Sequence, residues 1–128
     1  MLERDYIMRL TREFAAALAL VLEKNEIKSK KQKLLELYNS YIGPSAFYHT
    51  ASMDDIMDSF ESIKESERLY KMEMLAELYY AEADIETGPT RHMLLEKAFT
   101  MFSFIDSNRK TYSIDRINKI YDINKKLE

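Results

Sequence analysis

Cysteine is absent from this 128-residue chain, and so is tryptophan. Without thiols there is no disulfide framework, no thiolate zinc site and no cysteine nucleophile. Glycine and proline occur only twice each. Two glycines cannot build a phosphate-cradling loop, which removes nucleotide-loop chemistry. So few breakers, in a chain rich in Leu, Ala, Glu and Lys, argue for mostly helix. Long apolar runs are missing too. The longest, Phe14 to Leu22, is nine residues, against the roughly 20 that a bilayer crossing needs, and it reads as core. No sign of charge dominates: 19 basic and 22 acidic residues leave a formal net charge of −3. That gives no electrostatic reason to expect nucleic acid or an acidic membrane as the main partner. The N-terminus is charged from Glu3 onward and lacks the basic-then-apolar order of a signal peptide. With the missing cysteines, this points to a cytoplasmic protein.

What is present is helical periodicity. Ile7, Leu10, Phe14, Ala17, Leu18 and Val21 recur at steps of three and four, which predicts a first helix from about Glu3 to Lys24. Around Phe14–Leu22 the apolar residues extend nearly all round. This helix is therefore expected at the centre of the bundle, or partly covered by a second copy of the chain. A break near Asn25 leads to a second helix over about Ile27–Tyr41, with Ile27, Leu34, Leu37, Tyr38 and Tyr41 on its face and Leu35 beside it. Gly43-Pro44 ends it. Residues 45–51 read as an ordered connection or a short turn of helix. Ser52 then caps a short third helix, with Asp54 and Asp55 at the positive end of its dipole, ending near Ser62 or Lys64. The fourth helix, about Glu65 to Ile85, carries the stripe Leu69, Met72, Ala76, Tyr79, Ala83. Gly88-Pro89 marks a turn with Thr90 as the next N-cap. The fifth helix buries Leu94, Leu95, Ala98, Met101, Phe102 and Ile105. Ser113 caps the sixth, with Ile114, Ile117, Ile120, Tyr121 and Leu127 as its stripe. The prediction is one all-α domain over residues 1–128. It is a bundle of five or six helices with short, mostly antiparallel connections, organised around the hairpin at 66–106.

Few residues invite a chemical reading. Asp54, Asp55 and Asp58 stand one helical turn apart, as in carboxylate motifs that share Mg²⁺ with a diphosphate. Such enzymes need a longer bundle, and an acidic first turn favouring the helix dipole accounts for the motif. His49 and His92 are the only histidines. Neither has a Glu three residues before it, because Ala46 and Pro89 stand there, so a dimetal carboxylate bundle is not indicated. No GxSxG elbow supports a Ser nucleophile. Lys24, Lys28, Lys30, Lys31 and Lys33 form a basic stretch that could touch phosphates, but in an acidic chain it reads as a solvated helix face. No catalytic residue, metal or cofactor is expected.

The nine tyrosines are more informative. Tyr38, Tyr41, Phe47 and Tyr48 cluster around the first Gly-Pro. Tyr70 and Tyr80 point away from the Leu69–Met72–Ala76 stripe. Tyrosine buries area while keeping a polar tip, and is enriched at interfaces. Tyr70 and Tyr80, with Tyr38 and Tyr41, are therefore the candidate partner surface. The expected function is a non-catalytic interaction or scaffold module whose partner is a protein, self (a homodimer) or other. The alternative is a small-ligand binder or minor enzyme with a pocket near Tyr48, His49 and Asp55.

Two resemblances bear on this. With Met72, Leu75, Ala76 and Tyr79 on one helix and Leu95 and Ala98 on the next, the 66–106 hairpin resembles one tetratricopeptide repeat. It departs from that pattern in its longer turn, in Arg91 where an alanine is usual, and in Ser103 where the closing proline would stand. Over the whole chain, the opening Asp5-Tyr6-Ile7-Met8-Arg9-Leu10 and the closing Ser113-Ile114-Asp115-Arg116-Ile117 resemble an uncharacterised family of small bacterial helical proteins. That resemblance implies a bacterial protein and transfers no catalytic residue.

Overall fold

The computed structural model describes residues 2–109 and 111–128, and side chains from residue 5 onward. Among the described residues the chain is all-helical. Its helices are α1 (Leu2–Leu22), α2 (Ile27–Tyr41), α3 (Ser45–Thr50), α4 (Met53–Ser59), α5 (Glu65–Ala83), α6 (Gly88–Asn108) and α7 (Ile114–Leu127), with a 3-10 turn at Phe60–Ser62 after α4. That makes seven α-helices rather than five or six, because residues 45–50 form a helix of their own. α2 has the expected bounds, and the predicted stripes of α1, α5 and α6 face inward, but Ile27 on α2 and Ile114 and Tyr121 on α7 are exposed, and the buried apolar residue of α7 is Ile123, outside the predicted stripe. α6 begins two residues before Thr90. Pro89 sits in its first turn, where its missing N–H costs no hydrogen bond, so Gly88-Pro89 opens the helix instead of preceding it.

Local signals account for the ends. The Ser52 hydroxyl accepts the Asp55 amide at 3.1 Å, and the Ser113 hydroxyl accepts the Arg116 amide at 3.2 Å. At the end of α2, the Ile42 and Gly43 amides both donate to the Tyr38 carbonyl. A Cβ on Gly43 would lie 3.2 Å from the Tyr48 ring, so this turn needs the glycine for space. Ser52→Ala is expected to cost about 1 kcal/mol. Urea unfolding measures it, and a variant as stable as the parent would show that the cap is dispensable.

α5 is the hub. It packs against α1, α2, α6 and the 3-10 turn, and Met72, Met74, Leu75, Ala76, Leu78, Tyr79, Ala81 and Ala83 are all buried on it. The residues that carry the repeat likeness, Met72, Leu75, Ala76, Tyr79, Leu95 and Ala98, are at most 3% exposed. α1 is not at the centre, which overturns the first of the two arrangements expected for it. It buries Ile7, Phe14, Leu18 and Val21, but Ala15, Ala16 and Ala19 are exposed, and so are Leu20 (66%) and Leu22 (45%). Its neighbours α2 and α5 cover one side, and on the other Ala15, Ala19 and Leu22 are exposed.

Polar side-chain contacts join α5 to α7, among them Glu73 to Arg116 at 3.5 Å, Glu77 to Lys119 at 2.7 Å, and the Tyr80 hydroxyl to Asp122 at 2.6 Å. The rungs advance in the same direction along both helices, so α5 and α7 are parallel. α1 runs the same way. Its later residues line the end of the cleft where the later residues of α5 lie. α1, α5 and α7 thus form one parallel layer, with α2 and α6 returning behind it.

Candidate functional site

Two places gather chemistry: a buried polar cluster beneath α3, and a cleft between α1 and α7. The cluster begins with Glu82, which is 2% exposed. It lies three residues past Tyr79, so the core face of α5 carries it inward. Its Oε1 accepts the Tyr38 hydroxyl at 2.8 Å and lies 2.8 Å from His49 Nε2. His49 Nδ1 lies 2.6 Å from the Ser45 carbonyl. A carbonyl only accepts, so Nδ1 carries a proton. Nε2 then faces a carboxyl oxygen, and one further proton must lie between the two. The hydrogen bond to Glu82 is the main cause that holds the imidazole above its ordinary pKa. The Ser45 carbonyl and the Glu82 charge act in the same direction, while burial and Lys97 oppose them. The Tyr38 hydroxyl is pushed well up, first by burial and then by Glu82.

Beside this pair, Lys97 is 7% exposed. Its ammonium donates to the Tyr48 and Ala51 carbonyls at 3.0 Å each, and the Tyr79 hydroxyl donates to the same Tyr48 carbonyl at 2.6 Å. These are the carbonyls that the short α3 leaves without helical partners. Burial lowers the Lys97 pKa. The cluster therefore clamps α3 to α5 and α6.

Tyr48, His49 and Asp55, the candidate pocket, are not brought together around a cavity. Tyr48 is buried against Phe47 and Gly43. Both His49 ring nitrogens are engaged within the chain, and Asp55 is exposed in the capped first turn of α4. Asp54 and Asp58 are likewise exposed. Among the described residues no group of three or more His, Asp or Glu side chains is placed to hold a metal ion.

The cleft has one apolar wall and one charged wall. Phe14, Ala15, Leu18, Ala19 and Leu22 of α1 form the first, Met74 lies in the floor, and Glu73, Glu77, Asp115 and Lys119 form the second. The cavity there is about 460 Å³. It continues into one of about 280 Å³ beside Tyr80, Asp84 and Lys126. From Tyr70 to Asp84 the α5 floor is about 21 Å long, at a rise of 1.5 Å per residue. A second, open depression between α1 and α2 is lined by Leu20, Leu37 and Tyr41, with Glu23, Lys24, Lys33 and Glu36 at its edges. Its charges balance.

The four candidate tyrosines separate. Tyr38 is fully buried and cannot meet a partner. The expectation fails there because its hydroxyl is satisfied inside the protein, by Glu82. Tyr41 is half-buried, edge-on to Phe14 at 5.2 Å between ring centres. Tyr70 lies under the Arg109 guanidinium at 4.4 Å and still lines the cleft. Tyr80 is tied to Asp122 and lines the cleft's continuation. Sequence reasoning missed Glu82, Lys97 and the α5–α7 ladder. For Glu82 there was a signal: it sits at Tyr79 plus three, on a face otherwise apolar. No known protein family, curated protein or solved structure matches the chain.

Proposed function

We propose that the protein is a non-catalytic interaction module that receives a helical segment of a protein partner in the α1–α5–α7 cleft. The observation that carries this is the uncovered apolar wall of α1, with Ala15, Ala19 and Leu22 exposed, facing a charged wall across the α5 floor. A cleft about 21 Å long accepts a helix of about four turns. Docking an amphipathic helix there would bury its apolar face on α1 and leave its polar edge to the ladder. The likeness of α5–α6 to one repeat unit supports the same reading, because stacked helical repeats bind on the concave side of a helical layer. The single unit is completed here by α1–α2 and α7.

The test is a titration with a synthetic Leu-faced amphipathic helix of about four turns, followed by amide chemical shifts of the protein. Shifts are expected at α1 from Thr11 to Leu22, at α5 from Tyr70 to Asp84, and along α7. Ala19→Trp, at an exposed position on the wall, should suppress them. Shifts confined to Tyr48, His49 and Asp55 would instead support the small-ligand reading and remove this one.

A further inference from the structure

We infer that the helix received by the cleft is cationic, with Lys or Arg side chains along the edge that meets Glu77 and Asp115; this rests on the cleft reading above. The rungs of the ladder are not equally matched. Glu73 has the guanidinium groups of Arg109 and Arg116, each at 3.5 Å. Asp122 has the Lys126 ammonium at 3.0 Å and the Tyr80 hydroxyl. In the middle, Glu77 and Asp115 share the single ammonium of Lys119, at 2.7 and 2.9 Å. Two carboxylates to one ammonium leave acceptor capacity and negative charge midway along the cleft, half-buried at Glu77 and exposed at Asp115.

The titration behaviour of Glu77 agrees. Burial pushes its pKa up, Asp115 and Glu73 push the same way, and the hydrogen bond and charge of Lys119 oppose them. An incoming cation would relieve that burden, whereas a carboxylate would add to it. The residues lining the cleft and its continuation carry the same bias. Glu73, Glu77, Asp84 and Asp115 outnumber Lys119 and Lys126. Opposite that charge stands a wall of Phe14, Ala15, Leu18, Ala19 and Leu22, which sets the apolar face of the occupant.

The basic stretch of a second copy, around the start of α2, is a poorer occupant. It exposes Lys24, Lys28 and Lys33, but only Ile27 (60% exposed) as a large apolar side chain. One such residue cannot span the exposed face from Ala15 through Ala19 to Leu22.

The experiment uses the full chain and three synthetic helices with the same Leu face and with Lys, Gln or Glu along the polar edge, read by fluorescence anisotropy. The Lys helix is expected to bind about tenfold more tightly than the Gln helix, the equivalent of one desolvated charge pair. The Glu helix should bind most weakly, and added salt should shrink the Lys advantage. In Glu77→Gln the ratio of Lys to Gln affinities should fall toward one. Asp115→Asn, at a largely exposed position, should lower it in the same direction without endangering the fold. Equal binding of all three helices, blocked by Ala19→Trp, would overturn the cationic inference and leave the cleft reading standing. Binding that Ala19→Trp does not weaken would sink the cleft reading itself. A light-scattering mass of twice 15.2 kDa that falls to the monomer value in Ala19→Trp would assign the cleft to a second copy and overturn the proposal.

Discussion

Glu82→Ala is expected to lower the unfolding free energy by about 3 kcal/mol, the cost of removing one partner from a buried hydrogen-bonded charge pair. The Tyr38 hydroxyl would lose its acceptor at a site with no exposure. His49 would lose the group that holds its second proton. The loss also carries a pH signature. A histidine whose folded pKa is raised binds its proton more tightly in the folded state. Its stabilisation is complete below the ordinary value of 6.5, and it is lost as pH rises through the raised folded value. The parent protein should therefore become less stable across that window on the alkaline side of 6.5. Glu82→Gln keeps an acceptor for Tyr38, so it should cost less than the alanine variant. It removes the charge that holds the proton, so the pH slope should flatten. Urea unfolding at a series of pH values measures both effects. A slope that survives in Glu82→Gln would show that the proton on His49 is not held by Glu82.

Arg116→Ala is expected to cost about 2–3 kcal/mol, and the loss should concentrate on α7. The guanidinium is 2% exposed, and it donates to Asp106 at 3.0 Å, to the Thr111 carbonyl at 3.2 Å and toward Glu73 at 3.5 Å. It ties together the end of α6, the connection and the start of α7. Ile123 is the one apolar side chain of α7 that is fully buried, so if this knot is cut the helix is left to the Glu77–Lys119 and Tyr80–Asp122 contacts and to the partly buried Ile120 and Leu127. Hydrogen exchange should show α7 amides losing protection first while α5 and α6 keep theirs, the pattern of a local opening. Arg116→Lys should recover little, because one ammonium cannot reproduce the forked geometry that reaches three acceptors. Protection of α7 equal to that of the parent would refute the assignment.

Most of the helical scaffold is legible in the sequence, because the signals that write it are local. Ser52 and Ser113 cap helices where a hydroxyl precedes an acidic first turn. Gly43-Pro44 stops α2 because the Ile42 and Gly43 amides close on the Tyr38 carbonyl and Pro44 cannot extend the ladder. The period of Leu69, Met72, Ala76, Tyr79 and Ala83 puts one face of α5 inside. On sequence alone residues 45–50 stay open between an ordered connection and a short turn of helix, because a six-residue helix is too short for any periodic pattern to declare itself. It is held by capping groups from elsewhere, Tyr79 and Lys97.

The candidate site was the less legible part. Apolar residues all round α1 look the same whether a helix is covered on every side or left open on one. Sequence periodicity says which residues share a face and not what stands opposite. Only the packing of α5 at the hub, with α7 held off by long ionic side chains, leaves the α1 wall uncovered. The polar cluster is non-local in the same way. Glu82 finds Tyr38 44 residues and His49 33 residues away in the chain, and Lys97 reaches the Tyr48 carbonyl across 49. A charged side chain in an apolar stretch announces that it needs a partner, but the partner's identity is a property of the fold. By itself, then, the sequence determined an all-helical chain, most of its caps and the inward stripes of α1, α5 and α6, though not that of α7, because those depend on neighbours within a turn or two. The tertiary structure alone decided which charges are buried, that the Tyr38 hydroxyl is satisfied inside by Glu82 while Tyr70 and Tyr80 border a cleft, and that α1 keeps an open side, because each depends on contacts between segments far apart in the chain.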